Sequence, residues 1–368
     1  MNNLNLLIKP SSGNCNINCN YCFYSDVTDN RITKNYGYMT KEIAKKLIFE
    51  AFNTDAKTIN FAFQGGEPTL IGIDFFKSFH NFVNKLNTKN TIVNFSIQTN
   101  GILINKKWIE LFKKYNYLVG VSLDGNKHVH DTFRKTFKKE GTFSQVYKNI
   151  KLLQKNNINF NILSVVNKNT VKYSHEIYSF FKKSHFKYLQ FIPCLDKLNG
   201  DFNEDFSLTQ EAYGEFLHNT FQLWYEDFKN GKYVSIRFFD NLISLILNNQ
   251  PESCDMVGHC SINTVVEANG SIYPCDFYVL DEFKLGNIMS SSLINLISSD
   301  KAVDFIKSSI KEHDDCKVCS FKNLCRSGCR RHKDFSDNYK NRFCESFKFF
   351  YSKNISKLIE IANIVKFR

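Results

Sequence analysis

Cys15, Cys19 and Cys22 lie in the run Cys-Asn-Ile-Asn-Cys-Asn-Tyr-Cys, a Cys-x3-Cys-x2-Cys spacing with an aromatic just before the last thiol. Three thiolates are one short of the four that a structural zinc ion or an ordinary four-iron cluster takes. On a cubane they leave one iron free for a further ligand, and an open iron can do chemistry. Eight more cysteines follow late in the chain. Cys254, Cys260 and Cys275 come first, then Cys316-x2-Cys319-x5-Cys325-x3-Cys329, then Cys344. Eight is two sets of four, which suits two four-iron clusters and equally two zinc ions with four thiolates each. Asp276 follows Cys275 directly. A carboxylate there can take a proton while a neighbouring centre takes an electron, or it can simply shape a turn. The twelfth cysteine, Cys194, reads as a small buried residue at a strand end.

Strand-like and helix-like segments alternate through the first half and must position these groups. Strands are expected at Leu4–Ile8, Thr58–Phe63, Val93–Ile97, Leu118–Leu123, Asn159–Val165 and Tyr188–Ile192. Helices are expected at Thr40–Phe52, with Thr40 as N-cap, then Phe75–Leu86, Asn105–Lys114, Phe143–Lys155 and Tyr173–Lys183. Short apolar strands of this kind suit parallel strands buried on both faces. Six strand–helix steps are too few for a complete eight-fold barrel. The expected fold is α/β, a partial (β/α)6 TIM-type barrel with its site at the C-terminal strand ends. Gly65-Gly66-Glu67-Pro68 falls at such an end, where glycines let a backbone carbonyl approach an ammonium group closely. Long helices are expected over Glu211–Gly231 and Phe239–Leu247. A short hairpin turning at Asn269-Gly270 follows, and an amphipathic helix over Phe347–Val365 closes the chain. The domains read as 1–235 for the barrel, 236–345 for a linker helix and cysteine-rich domain, and 346–368 for the last helix.

The 368 residues are 43% hydrophobic and 23% charged, enough for a buried core and unlike a disordered chain. No run reaches the roughly 18 apolar residues of a membrane span. The first residues lack the pattern of a signal peptide, so a cytoplasmic protein with metal-bound thiolates is expected rather than a disulfide scaffold. The formal charge of +12 is spread along the chain with no basic block. Eleven thiolates and three cubane cores would lower it to roughly +7, which argues against nucleic-acid binding.

The first triplet resembles that of the radical S-adenosylmethionine enzymes, in which three thiolates hold a 4Fe–4S cluster. There the methionine moiety of the cofactor chelates the fourth iron, and the turn equivalent to Gly65-Gly66-Glu67-Pro68 contacts its amine. The spacing Cys260-x9-Gly270-x4-Cys275, with the later run and last cysteine, is similar to the SPASM domain and its two auxiliary clusters. That resemblance implies Cys254, Cys260, Cys275 and Cys329 on one cluster, and Cys316, Cys319, Cys325 and Cys344 on the other.

A closer resemblance runs nearly end to end. Leu6-Leu7-Ile8-Lys9-Pro10, Phe61 through Thr69, Gln98-Thr99-Asn100-Gly101 and Gly120 through Gly125 look like an anaerobic sulfatase-maturating enzyme. So do Leu189 through Leu195 and Tyr273 through Leu280. It departs from some relatives in having His332 and Ser261-Ile262 where a further cysteine can stand. The family oxidises a Cys or Ser of a sulfatase to Cα-formylglycine, an anaerobic post-translational modification. The resemblance implies three 4Fe–4S clusters and S-adenosyl-L-methionine as cofactors. Asp276 would be the base, Tyr21, Gly66, Ser122, Arg134 and Leu195 the S-adenosylmethionine contacts, and Tyr24 and Gln64 the substrate side. Its implied partners are an unfolded or nascent sulfatase segment and a flavodoxin- or ferredoxin-type electron donor, with the enzyme a monomer. Another SPASM enzyme, such as one forming thioether crosslinks, would share the clusters without needing a base at Asp276. An electron carrier or a zinc-stabilised binding protein is the non-enzymatic alternative, and about twelve irons per chain would separate the enzyme from the zinc protein.

Overall fold

The computed structural model describes residues 2–198, 204–334 and 337–366. Six parallel strands form its frame: β1 (Asn3–Ile8), β2 (Thr58–Phe63), β3 (Ile92–Thr99), β4 (Leu118–Ser122), β5 (Phe160–Val166) and β6 (Tyr188–Pro193). Each pairs with the next in chain order. Helices cross between them: α1 (Phe23–Asp29), α2 (Lys41–Phe52), α3 (Ile73–Leu86), α4 (Lys106–Lys114), α5 (Lys127–Phe133), α6 (Phe143–Lys155) and α7 (Ser174–Lys183). Thr40 caps α2 as its residue type predicts, its hydroxyl accepting from the Ile43 amide at 3.3 Å.

The sheet does not close into a barrel. Among the described residues it runs to ten strands, ending at Ser235–Ile236 beyond β6 and at Gly286–Asn287 on the other side. Val265–Val266 of the cysteine-rich region adds directly to β1 in parallel, and Ser271–Tyr273 then pairs with it antiparallel. The hairpin expected around Asn269-Gly270 is present, with Gly270 at φ +83°. Its pairing to a strand more than 250 residues earlier makes one continuous sheet of both regions.

One expectation fails. The strands are not buried on both faces. In β2, Ile59, Phe61 and Phe63 are fully sealed against α3, with Phe61–Phe79 and Phe63–Phe76 ring centres 5.1 and 4.8 Å apart. The opposite face is polar and partly open. Asn60 donates to Asn5 at 2.7 Å and Asn94 donates to Asn60 at 2.9 Å, an amide ladder across β1, β2 and β3. An open sheet leaves its inner face as a channel wall rather than a packed barrel interior, so amides that bond along the wall are stable there.

The last helix, Cys344–Lys366, lies along the long helix Gln210–Lys229. Ser346 donates to the Gln210 carbonyl at 2.6 Å, and Gly214 allows the approach, since a Cβ there would stand 3.2 Å from the Ser346 Cα.

Candidate active site and two cysteine pockets

The triplet occupies the loop between β1 and α1, with Cys22 immediately ahead of the helix. The glycine turn after β2 is locked onto that loop. The Gly66 amide donates to Ser12 O at 3.0 Å and the Glu67 amide to Asn14 O at 2.7 Å. A Cβ on Gly66 would fall 2.1 Å from Asn14 O, so glycine is obligatory for this contact. Glu67 is completely buried and ties the turn to the end of β3. Its carboxylate accepts from Thr69 N and Oγ1 at 3.0 and 2.6 Å, from Thr99 Oγ1 at 2.8 Å and from Asn100 N at 2.7 Å. The Asn100 amide then points at Cys15 Sγ, 3.7 Å away.

A second buried carboxylate, Asp124 after β4, gathers the other cofactor candidates. Its Oδ2 accepts from Arg134 Nε at 2.9 Å and from the Tyr21 hydroxyl. Its Oδ1 takes the Val165 amide at 3.0 Å. Arg134 Nη1 reaches Cys19 Sγ at 3.8 Å, and the short pairing of Asn18–Cys19 with Arg134–Lys135 fixes that approach. Ser122 lies at the end of β4, accepting from Gln98 at 3.2 Å, and Leu195 lies half-buried just past β6. Gly66, Tyr21, Ser122, Arg134 and Leu195 therefore all sit at the C-terminal ends of the parallel strands or in the loops that leave them. Cys194 is buried beside Tyr21, Phe133 and Phe206, as its strand-end position suggests.

Tyr24, on the first turn of α1, carries the geometry towards the cysteine-rich region. Its hydroxyl hydrogen-bonds the Gln64 side chain and lies 3.4 Å from Asp276 Oδ2. The Cys275 thiol lies 3.4 Å from Asp276 Oδ1. Phe23 and Phe277 pack edge to face at 4.9 Å, clamping α1 against the Asp276 turn. Burial pushes the Asp276 carboxyl above its ordinary value, offset in part by its hydrogen bonds to Cys275 and Tyr24.

The eight late cysteines assemble in two groups. Cys254, Cys260, Cys275 and Cys329 line one cavity together with Asp276. Cys325 lies within electrostatic reach of Cys344, Cys316 and Cys319. A second cavity, walled by Cys325 and Cys329, Tyr213 and Tyr351, touches one cysteine of each group. Burial pushes Cys15 up to about 11, Cys19 and Cys325 to about 12 and Cys254 to about 11. Sulfurs so placed ionise when a metal cation replaces the proton, so the donor sets fit iron–sulfur clusters.

Fold and site together define a radical S-adenosylmethionine enzyme carrying a cysteine-rich auxiliary domain. Residues 10–181 match the radical SAM superfamily, and residues 254–320 match the SPASM iron–sulfur cluster-binding domain. The chain belongs to the anaerobic sulfatase-maturating enzymes. It is 49% identical to the cysteine-type enzyme of Clostridium novyi over all of both chains, and 45% identical to that of Clostridium perfringens over 99% of each. It is 31% identical to the serine-type enzyme of Bacteroides thetaiotaomicron, over 90% of this chain and 83% of that one. Native anSMEcpe with bound AdoMet superposes with a TM-score of 0.94 at 43% identity, over 98% of this chain and 99% of that one. The same protein with AdoMet and the Cp18Cys peptide gives 0.94 at 42%, over 99% of each chain.

Two buried carboxylates, Glu67 and Asp124, organise the residues expected at the site and were not singled out from the sequence. Glu67 and Asp124 both stand inside quoted motifs. A carboxylate within an otherwise apolar strand end is the signal that marks such an organiser.

Proposed function

We propose that this enzyme oxidises the target Cys of a sulfatase to Cα-formylglycine, with Ser as a poorer alternative. Its likeness to the cysteine-type enzymes of Clostridium novyi and Clostridium perfringens, at 49% and 45% identity against 31% for a serine-type one, favours Cys. The observation that carries the proposal is the placement of Asp276. It touches Tyr24 on the helix leaving the radical-site triplet, and it lines the cavity of the first auxiliary cysteine set.

When bound, a 4Fe–4S cluster and S-adenosylmethionine supply the 5′-deoxyadenosyl radical that removes a hydrogen atom from the substrate Cβ. Cys15, Cys19 and Cys22 would hold that cluster. The Gly66 carbonyl would accept from the cofactor amine, Arg134 would face its carboxylate, and the Ser122 hydroxyl would meet the ribose. Tyr21 and Leu195 would cover the remaining surface. Tyr24 and Gln64 orient the peptide so that its thiol or hydroxyl faces Asp276. Asp276 takes the proton, and its raised affinity for protons suits that role. Cys254, Cys260, Cys275 and Cys329 would hold an auxiliary cluster able to accept the substrate electron, and Cys316, Cys319, Cys325 and Cys344 would hold a second. A Ser then yields the aldehyde directly, whereas a Cys yields a thioaldehyde that water converts to the aldehyde. The partners are an unfolded sulfatase segment and a flavodoxin- or ferredoxin-type donor, and the enzyme acts as a monomer.

The test is anaerobic incubation of the reconstituted enzyme with matched Cys and Ser peptides of a sulfatase motif, read by mass spectrometry. Loss of two hydrogens from Ser, and the same loss with sulfur replaced by oxygen from Cys, is expected. 5′-Deoxyadenosine formed with both peptides unchanged would refute the assignment. An Asp276→Asn variant should keep cofactor cleavage while losing peptide oxidation by roughly 100-fold or more.

A further inference from the structure

Lys9 has no part in the cysteine sets or in the contacts assigned above, yet it touches three functional regions at once. Its amide donates to Val266 O of the cysteine-rich hairpin at 2.8 Å, and its carbonyl accepts from Ser12 of the triplet loop at 3.1 Å. Its aliphatic stem lies under the glycine turn, where a Cβ on Gly65 would stand 3.1 Å from Lys9 Cβ and Cγ. Its ammonium pairs with Glu267 Oε1 at 2.6 Å and stands 5.4 Å from the centre of the Tyr24 ring. Arg31 Nη1 shares the same Glu267 oxygen at 2.8 Å but stacks on Tyr36 instead. Lys9 is 1% exposed, and the Arg31 and Glu267 side chains are fully sealed. Lys9 and Arg31 converge on Glu267, and the Asp276 carboxylate also lies within electrostatic reach of the Lys9 ammonium. Buried ion pairs are rarely strong net stabilisers, and what they can provide is a fixed geometry.

We propose that Lys9 is a positioning residue for peptide oxidation. Its ammonium, held by Glu267, fixes the Tyr24 ring, and through the Tyr24 hydroxyl it fixes Asp276. This rests on the peptide-oxidising reading above. Loss of the ammonium leaves cofactor cleavage running while peptide oxidation falls behind.

The test uses the reconstituted holoenzyme and a sulfatase-motif Cys peptide. Lys9→Met keeps the stem, and Arg31 continues to neutralise Glu267, so folding and iron content are retained. The expected result is a rise of about tenfold in 5′-deoxyadenosine released per peptide oxidised, with a several-fold higher peptide KM. The kcat for 5′-deoxyadenosine should stay within about twofold of wild type. Lys9→Arg should restore most of the coupling. Arg31→Met, which removes a Glu267 partner but not the Tyr24 contact, should leave the ratio unchanged. A wild-type ratio and KM in Lys9→Met, a parallel fall of both products, or the same uncoupling in Arg31→Met overturns the inference. A wild-type enzyme that leaves the peptide untouched overturns the sulfatase assignment and this inference with it.

Discussion

The two cysteine-bearing regions hold their thiols in opposite ways. The triplet hangs from a frame that exists without it. Six long paired strands end beside one another, and the buried carboxylates Glu67 and Asp124 tie their loops together. Between residues 254 and 344 no strand among the described residues exceeds three residues, and most turns are short. Order there comes from polar clamps. Arg330 lies against Tyr278, Phe283 and Phe305 while pairing with Asp334 at 2.9 Å. Lys333 donates to the Ser309 and Lys311 carbonyls at 2.8 and 2.9 Å. Where regular structure is scarce, bound clusters must carry more of the folding energy. The same ligand chemistry is thus a passenger in one region and part of the skeleton in the other.

The largest expected effect separates the regions by chemistry. Cys22→Ser should lower S-adenosylmethionine cleavage by at least about 1,000-fold while leaving the iron of the cysteine-rich region bound. Loss of all iron in that variant would show that the two regions do not load independently. Next comes removal of iron from the whole enzyme. Amides between 254 and 344 should lose hydrogen-exchange protection by about 100-fold or more, while those of β1–β6 keep theirs. Equal loss across both would erase the contrast.

Gly66→Ala probes the frame itself. The added methyl meets backbone at 2.1 Å, so the loop must shift. Thermal unfolding should show a loss of about 3 kcal/mol, with S-adenosylmethionine binding weakened as well. Acid acts on the same strand–helix frame, where each buried histidine has a smaller effect. Burial holds His80 down to about 3 and His130 to about 4. The unfolded chain takes up these protons near 6.5, so their contribution is complete above that pH and is lost as pH falls. Each should cost about 2 kcal/mol by pH 5. A denaturation midpoint that is unchanged between pH 7 and pH 5 would contradict this.

Much of the frame was legible because its strands are apolar runs and its helices are periodic. Thr58–Phe63 and Phe143–Lys155 fall on their expected bounds. Two seven-residue helices, Phe23–Asp29 and Lys127–Phe133, were not foreseen. Each is too short and too polar to show an apolar stripe, and each is stabilised by what it packs against. The open inner face was misread because Leu4, Leu6 and Ile8 signal burial, whereas Asn5 between the first two gains its partner, Asn60, from the neighbouring strand.

The sequence alone determined the chemistry on offer: three thiols with room for a cofactor, eight more in numbers suited to two clusters, and a carboxylate next to one of them. Spacing carries that information because ligands close in sequence are close in space whatever the fold. Tertiary structure decided which distant groups meet. Arg134 reaches Cys19 across 115 residues, Tyr24 reaches Asp276 across 252, and Lys9 reaches Glu267 across 258. The first rests on the short pairing of Asn18–Cys19 with Arg134–Lys135, and the other two on the sheet continuing from β1 into the cysteine-rich hairpin. No local pattern encodes that pairing, because a two-residue strand is defined by the partner it adds to.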